Sequence, residues 1–210
     1  MRSFLKARAV GHRRPPKNFF LIPANGLAAQ PMTDRFEHIR HKPPEVLVAP
    51  RELIVACAPL RSHVNLSHIV RTCGCFGIRR VIACGAARLH SRIARDGAES
   101  VDLSIHRSLP PLLDRLRSEG FQLVALEQTT HSESLFNFSF LPKTVLVIGN
   151  ERAGLEADVL TKIDRVAEIP MAGMPHSLNA ATSAAIAIYE YCRQFPLRSA
   201  GLAPTANREL

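Results

Sequence analysis

Short apolar runs constrain this chain more than any other feature. Leu53-Ile54-Val55-Ala56-Cys57-Ala58 is continuous rather than alternating, as expected of a strand buried on both faces. Arg80–Cys84, Phe121–Leu126, Thr144–Ile148 and Val166–Ile169 read as four further strands. Between them lie helical patterns. Leu66, Ile69, Val70 and Cys73 share one helix face, with Gly77 just past its end. Residues 88–97 form a polar connection with some helical character. Leu109–Ser118 predicts a helix with Leu112, Leu113 and Leu116 inward and Gly120 at its end. Glu156–Lys162 predicts a short helix, and a closing helix runs to about Gln194, where Pro196 stops it. Strands alternating with helices predict an α/β fold, a mostly parallel sheet covered by helices on both faces.

The chain has 210 residues, enough for one domain with tails. The expected division is a basic, Pro-rich, largely disordered extension over residues 1–45, a folded domain over 46–196, and a tail over 197–210. The net charge of +9 points to an anionic partner, nucleic acid first. Residues 1–31 hold Arg2, Lys6, Arg8, Arg13, Arg14 and Lys17 and no acid, which leaves +3 for the rest. The Arg-rich, acid-free start is compatible with a transit peptide, and a translation start at Met32 is an alternative. No apolar run approaches the roughly 20 residues of a membrane span, so no membrane partner is expected. The five cysteines form no Cys-x-x-Cys pair and several lie in apolar runs, which predicts a reduced, cytoplasmic protein. Cys73, Cys75 and His68 do not converge well on one helix, so no metal site is expected.

Three loops follow buried strands and should gather at one sheet edge: Glu127–Thr130, Gly149–Leu155 and Met171–Ser177. Gly149-Asn150-Glu151-Arg152-Ala153-Gly154 lacks the middle glycine of a dinucleotide loop and is not a phosphate-binding P-loop. No G-x-S-x-G elbow is present, which disfavours an α/β hydrolase. The last loop, Ile169–Ala181, is punctuated by Gly173 and Pro175. Ser177 is the predicted N-cap of the closing helix, whose inward side is read as Leu178, Ala181, Ala185, Ile188 and Cys192. On the first helix, Arg71 lies three residues from His68 and four from Ser67. The spacing puts all three on a polar face, with Asn65 one turn earlier. An arginine beside Asn and Ser suits a phosphate or a sugar hydroxyl; a solvated helix face is the plainer reading.

Together these segments resemble the SpoU (TrmH) family of RNA ribose 2′-O-methyltransferases, in the SPOUT class. Asn65–Gly77 is similar to the first family motif and Val147–Leu155 to the second. Ile169–Gly173 with Ser177-Leu178-Asn179 is similar to the third. The resemblance covers roughly residues 50–195. It implies S-adenosylmethionine as cofactor, tRNA or rRNA as partner, a homodimer, and a C-terminal trefoil knot. Such a knot runs against the strong rule for protein chains. The small residues Ala180, Ala181, Ala184, Ala185 and Ala187 would permit the close packing of such a core. Carried over residue by residue, it places Arg71 at the catalytic arginine, Glu151 in a supporting role, and Ser177 and Asn179 at the polar pair, with Asn65 in the same site. It places Gly149, Ile169, Met171 and Leu178 around the adenosine, with Gly154 and Gly173 from the same motifs and Glu127 and Gln128 at the border. Arg152-Ala153 departs from the small or acidic residues more usual there. The alternative is a catalytically inactive RNA-binding or assembly factor on the same fold.

Overall fold

The computed structural model describes residues 39, 47, 49–174 and 176–196. All of these but Ile39 belong to one compact unit. The expectations for residues 1–45, Ile39 apart, and for 197–210 lie outside the described residues.

Seven parallel strands form one sheet: β1 (Leu53–Cys57), β2 (Arg80–Cys84), β3 (Asp102–His106), β4 (Gln122–Leu126), β5 (Glu133–Ser134), β6 (Thr144–Ile148) and β7 (Arg165–Glu168). Their order is β3-β2-β1-β6-β4-β7-β5. β1 and β6 are central and fully buried, as their unbroken apolar runs require. The helices are α1 (His63–Cys75), α2 (Ser91–Ala94), α3 (Pro110–Ser118), α4 (Ala157–Leu160) and α5 (Ala180–Gln194), with a 3-10 turn at Arg95–Ala98.

Side chains alternate across each strand, so β1 feeds two cores. Leu53, Val55 and Cys57 pack with Leu66, Ile69, Val70 and Cys73 of α1 and with Ala184, Ala187 and Ile188 of α5. Ile54 and Ala56 pack with Leu112, Leu113 and Leu116 of α3 and Val159 of α4. Each large buried side chain is worth about 1.5–3 kcal/mol of burial. Both faces of the parallel sheet are therefore covered, as expected.

The sequence expectations need four corrections. β3 and β5 were not anticipated. β3 is an edge strand with a mostly exposed, irregular pattern, and β5 has two residues, so neither carries an apolar run. Ser67 does not share the exposed face of His68 and Arg71. It is fully buried, donating to His63 O at 2.7 Å and accepting from His90 N at 2.8 Å. Ser177 does not cap the closing helix; Asn179 does, two residues later. Leu178 precedes that helix and is exposed, and the buried stripe is instead Ala181, Ala184, Ala187, Ile188, Tyr191 and Cys192.

Candidate active site

Parallel strands point their C-terminal ends the same way, so the loops after β1, β4, β6 and β7 meet at one edge. The loop after β6 is a tight turn. Asn150 N donates to Gly154 O at 2.8 Å, and Gly154 N donates to Asn150 O at 3.0 Å. The Asn150 side-chain oxygen accepts from Arg152 N and Ala153 N at 2.9 and 3.1 Å. Arg152 and Ala153 are both exposed, with their backbone amides held by the Asn150 side chain. Gly154 has φ +66, and a Cβ on it would sit 2.6 Å from Glu127 Oε2. Only glycine allows the Glu127 carboxylate this close.

The turn delivers Glu151 to the start of α1. Its carboxylate accepts from Arg61 N at 2.8 Å, Ser62 N at 3.0 Å and Asn65 Nδ2 at 2.9 Å. A carboxylate at a helix N-terminus also meets the positive end of the helix dipole. Partial burial opposes ionisation. The Arg61 amide, the Asn65 side chain and the Ser62 amide outweigh it and hold the Glu151 carboxyl below its ordinary value. Asn65 is itself buried, and its side-chain oxygen accepts from Asn179 Nδ2 at 3.0 Å. The Asn179 oxygen accepts from Ala181 N at 2.9 Å and Thr182 N at 3.3 Å, capping α5. One relay, Glu151 to Asn65 to Asn179, thus ties together three segments far apart in sequence.

Beside it is a cleft of about 130 Å³ lined by Leu126, Glu127, Gln128, Glu168, Ile169, Met171, Ser177, Leu178 and Ser183. Apolar walls with a few convergent polar groups suit a nucleoside. Gln128 Nε2 donates to His176 O at 3.3 Å, tying the loops on either side. Of the expected cofactor residues, Glu127, Gln128, Ile169, Met171 and Leu178 line this cleft, as does Ser177. Gly149 and Gly154 form the adjoining turn. Gly173 is exposed, with nothing within 4 Å of a Cβ built on it.

Arg71 stands apart. It lies six residues beyond Asn65 on α1, about 9 Å along the axis and roughly 120° around it. Its side chain is exposed, and it makes no hydrogen bond or ion pair among the described residues. Residues that the sequence reading missed include Glu168 and Ser183 in the cleft and Ser62 at the α1 cap. The Ser62 spacing, three residues before Asn65, was a legible capping signal; Asn65 N donates to Ser62 Oγ at 3.3 Å. Cys57 and Cys84 are buried, which raises their thiols to about 12 and about 11, whereas Cys75 is exposed. Among the described residues no group of three or more His, Cys, Asp or Glu is placed to hold a metal ion. Nor is any helix among them long and apolar enough to cross a membrane.

This architecture has known counterparts. The SpoU rRNA Methylase family matches residues 52–189. The tRNA (guanosine(18)-2′-O)-methyltransferase of Aquifex aeolicus is 30% identical over 149 residues, 69% of this chain and 70% of the relative. The crystal structure of the A. aeolicus TrmH/SpoU tRNA modifying enzyme is similar with a TM-score of 0.66 at 29% identity, covering 70% of this chain and 77% of that one. The mouse tRNA (guanosine(18)-2′-O)-methyltransferase TARBP1 is 32% identical over 148 residues, 68% of this chain and only 9% of the much longer relative. The SpoU methyltransferase AviRb of Streptomyces viridochromogenes, solved in complex with the cofactor AdoMet, is similar with a TM-score of 0.61 at 30% identity. That match covers 70% of this chain and 62% of AviRb. With the family match spanning most of the described residues, this chain belongs to the SpoU rRNA Methylase family.

Proposed function

We propose that this protein transfers a methyl group from S-adenosylmethionine to a ribose 2′-hydroxyl of tRNA or rRNA, acting as a cytoplasmic homodimer. Family membership supports the reaction class. The observation that carries the reading is the Glu151–Asn65–Asn179 relay, because it fastens the cofactor-side loop to the helix that bears Arg71.

The cleft between β4 and β7 fits the cofactor in chemistry. Leu126, Ile169, Met171 and Leu178 offer apolar faces for an adenine, and Glu127 and Glu168 supply negative charge near a cation. A nucleoside-sized ligand needs about 300 Å³ or more. The Gln128–His176 contact therefore opens as it enters. When bound, S-adenosylmethionine supplies a methyl group already activated on a sulfonium. The reaction would join that methyl to the ribose 2′-oxygen as its bond to sulfur is lost, with the 2′-proton passing to solvent. The chain's own task is to aim the hydroxyl and stabilise its developing charge, worth roughly 3–4 kcal/mol in a well-formed site. Arg71 does this as a fixed cation and phosphate ligand. A guanidinium holds its proton too firmly to serve readily as a base. Ser177 and Asn179 orient the ribose from the third loop, and Gly173 leaves that loop open.

A partner subunit explains the separation of Arg71. α1 and α5 pack side by side and leave Val64, Ile186 and Tyr189 exposed, with a groove of about 490 Å³ between the helices. A second copy placed there covers this apolar surface and brings its own Arg71 toward the first copy's cleft. The loop from Ile169 into α5 is the segment we assign to the trefoil knot. The domain is assigned to residues 46–196.

Calorimetry with S-adenosylmethionine, followed by nucleoside mass spectrometry of tRNA and rRNA from a deletion strain, tests this reading. Binding of S-adenosylmethionine and loss of one 2′-O-methyl nucleotide are expected. Cofactor binding with every ribose methylation intact would favour the inactive assembly factor.

A further inference from the structure

From Leu53 to Arg95 the chain contains no acid, yet it holds Arg61, Arg71, Arg79, Arg80, Arg88, Arg92 and Arg95. Ion pairing is distributed in the opposite way. The seven ion pairs among the described residues lie on α3, α5, β4's neighbours and the sheet margins. Of these arginines only Arg80 takes part, with Glu119. Arg71, Arg88, Arg92 and Arg95 are all exposed and unpaired among the described residues. Asp96, inside the 3-10 turn, and Glu99, just past it, are exposed and pair with none of these arginines.

These arginines do not sit on a loose loop. The connector of α2 and the 3-10 turn is clamped onto α1 at three points. His90 N donates to the buried Ser67 hydroxyl. Ala94 is fully buried. Gly97 lies so close to α1 that a Cβ on it would be 2.9 Å from Arg71 Cα, and a Cβ on Gly74 would be 2.8 Å from Gly97 Cα. Two residues before that contact, Arg95 has φ 46 and ψ −143, the only non-glycine with positive φ among the described residues. This is backbone territory that favours glycine, and strain of this kind concentrates where it serves function. By chain length, the backbone of Arg95 lies within about 12 Å of that of Arg71.

We propose that the α2 connector is a rigid phosphate-binding shelf, contiguous with Arg71, that takes the RNA backbone next to the target ribose. Arg95 and Arg92 are its principal cations. The shelf rests on the reaction assigned above for its substrate class, and it adds a binding element outside the three family motifs. Unpaired like charges on a fixed scaffold repel one another, and a polyanion relieves that repulsion. Because the connector is already ordered, little chain entropy is lost on binding. A solvated surface would need neither the buried clamp nor the strained arginine.

The test compares Arg92→Gln/Arg95→Gly with wild type, using unfractionated tRNA as the probe across a salt series. Arg115→Gln on α3, which removes one positive charge away from the connector, is the control. Each lost contact should reduce the slope of log K against log salt by about 0.7 if the contacted RNA is single-stranded. The double variant should therefore lose about 1.4 and bind several-fold more weakly, while the control keeps the wild-type slope. Arg95→Gly alone should melt at or above the wild-type temperature, since glycine relieves the strain, and still bind tRNA more weakly. That opposition separates a ligand contact from a structural role. An unchanged slope in the double variant, or an equal fall in the control, overturns the shelf. Calorimetry with S-adenosylmethionine on the same preparations reads the cofactor site separately. Failure of wild type to bind it strikes the assigned reaction, while the salt slope still reports on the shelf.

Discussion

Asn179 donates its side-chain amide to the Asn65 oxygen at 3.0 Å while its own oxygen accepts two amides at the start of α5. One side chain thus starts a helix and fixes the neighbour of Glu151. Asn179→Ala removes both functions and should cost about 1–2 kcal/mol of stability. Asn179→Asp separates them. Aspartate caps as well as asparagine, but it has no donor for Asn65 and sets a carboxylate against its oxygen. This variant should keep most of its stability in urea denaturation and lose methyl transfer at least about tenfold. Full activity would reduce the relay to a structural fastening.

Glu151 gives a pH signature. Its folded-state value is lowered, so it contributes stability that is present above its ordinary value of 4.5 and is lost as pH falls below that, through the folded value. Glu151→Gln should flatten the acid side of the stability curve and lower stability near neutrality. Thermal melts from pH 3 to pH 7 read this. Parallel curves for the two proteins would mean that the amides of Arg61 and Ser62 do not depend on the charge.

Gly154→Ala forces a Cβ into a left-handed backbone and onto the Glu127 carboxylate. The backbone alone costs about 1–2 kcal/mol. Displacing Glu127 should also weaken S-adenosylmethionine by about tenfold in calorimetry. Gly173→Ala meets no atom and should leave that affinity unchanged.

Ile186→Glu puts a charge at the centre of the exposed face shared by α1 and α5, with Tyr189 beside it. Sedimentation should show monomers for this variant and, on the assigned assembly, dimers for the wild type. Buried unpaired charge at such an interface is strongly disfavoured. A monomeric wild type at micromolar concentration would remove the assigned assembly.

Arg71→Ala and Asn179→Asp should each lose at least about tenfold in activity alone. If Arg71 serves the partner's cleft, mixing them restores activity, because one of the two sites in a mixed dimer has both residues. Co-refolding followed by a methyl-transfer assay reads this. No recovery would mean that Arg71 and Asn179 act within one subunit.

Sequence patterns tracked the interior well and the margins poorly. β1, β2 and β6 were legible nearly residue by residue, because strands buried on both faces must be apolar throughout. β3 and β5 lie away from that constraint, and their backbone hydrogen bonds are set by neighbours rather than by their own side chains. The three site loops were legible as loops at one edge. Their relay was not, since the Asn65–Asn179 bond joins residues 114 apart and no local rule encodes it. The Ser67 error has the same origin. A serine beside His68 reads as exposed until a connector twenty-three residues later covers it.

The place of α5 in the core has a consequence for synthesis. β1 and α1 leave the ribosome well before α5, and their apolar face is covered only when Ala184, Ala187 and Ile188 arrive from that helix. Contacts so distant along the chain form late and slowly. Asn65 likewise waits for Asn179. A nascent chain, or one truncated before α5, therefore exposes α1 and has no assembled methyl-transfer site, so activity begins only once translation has passed α5.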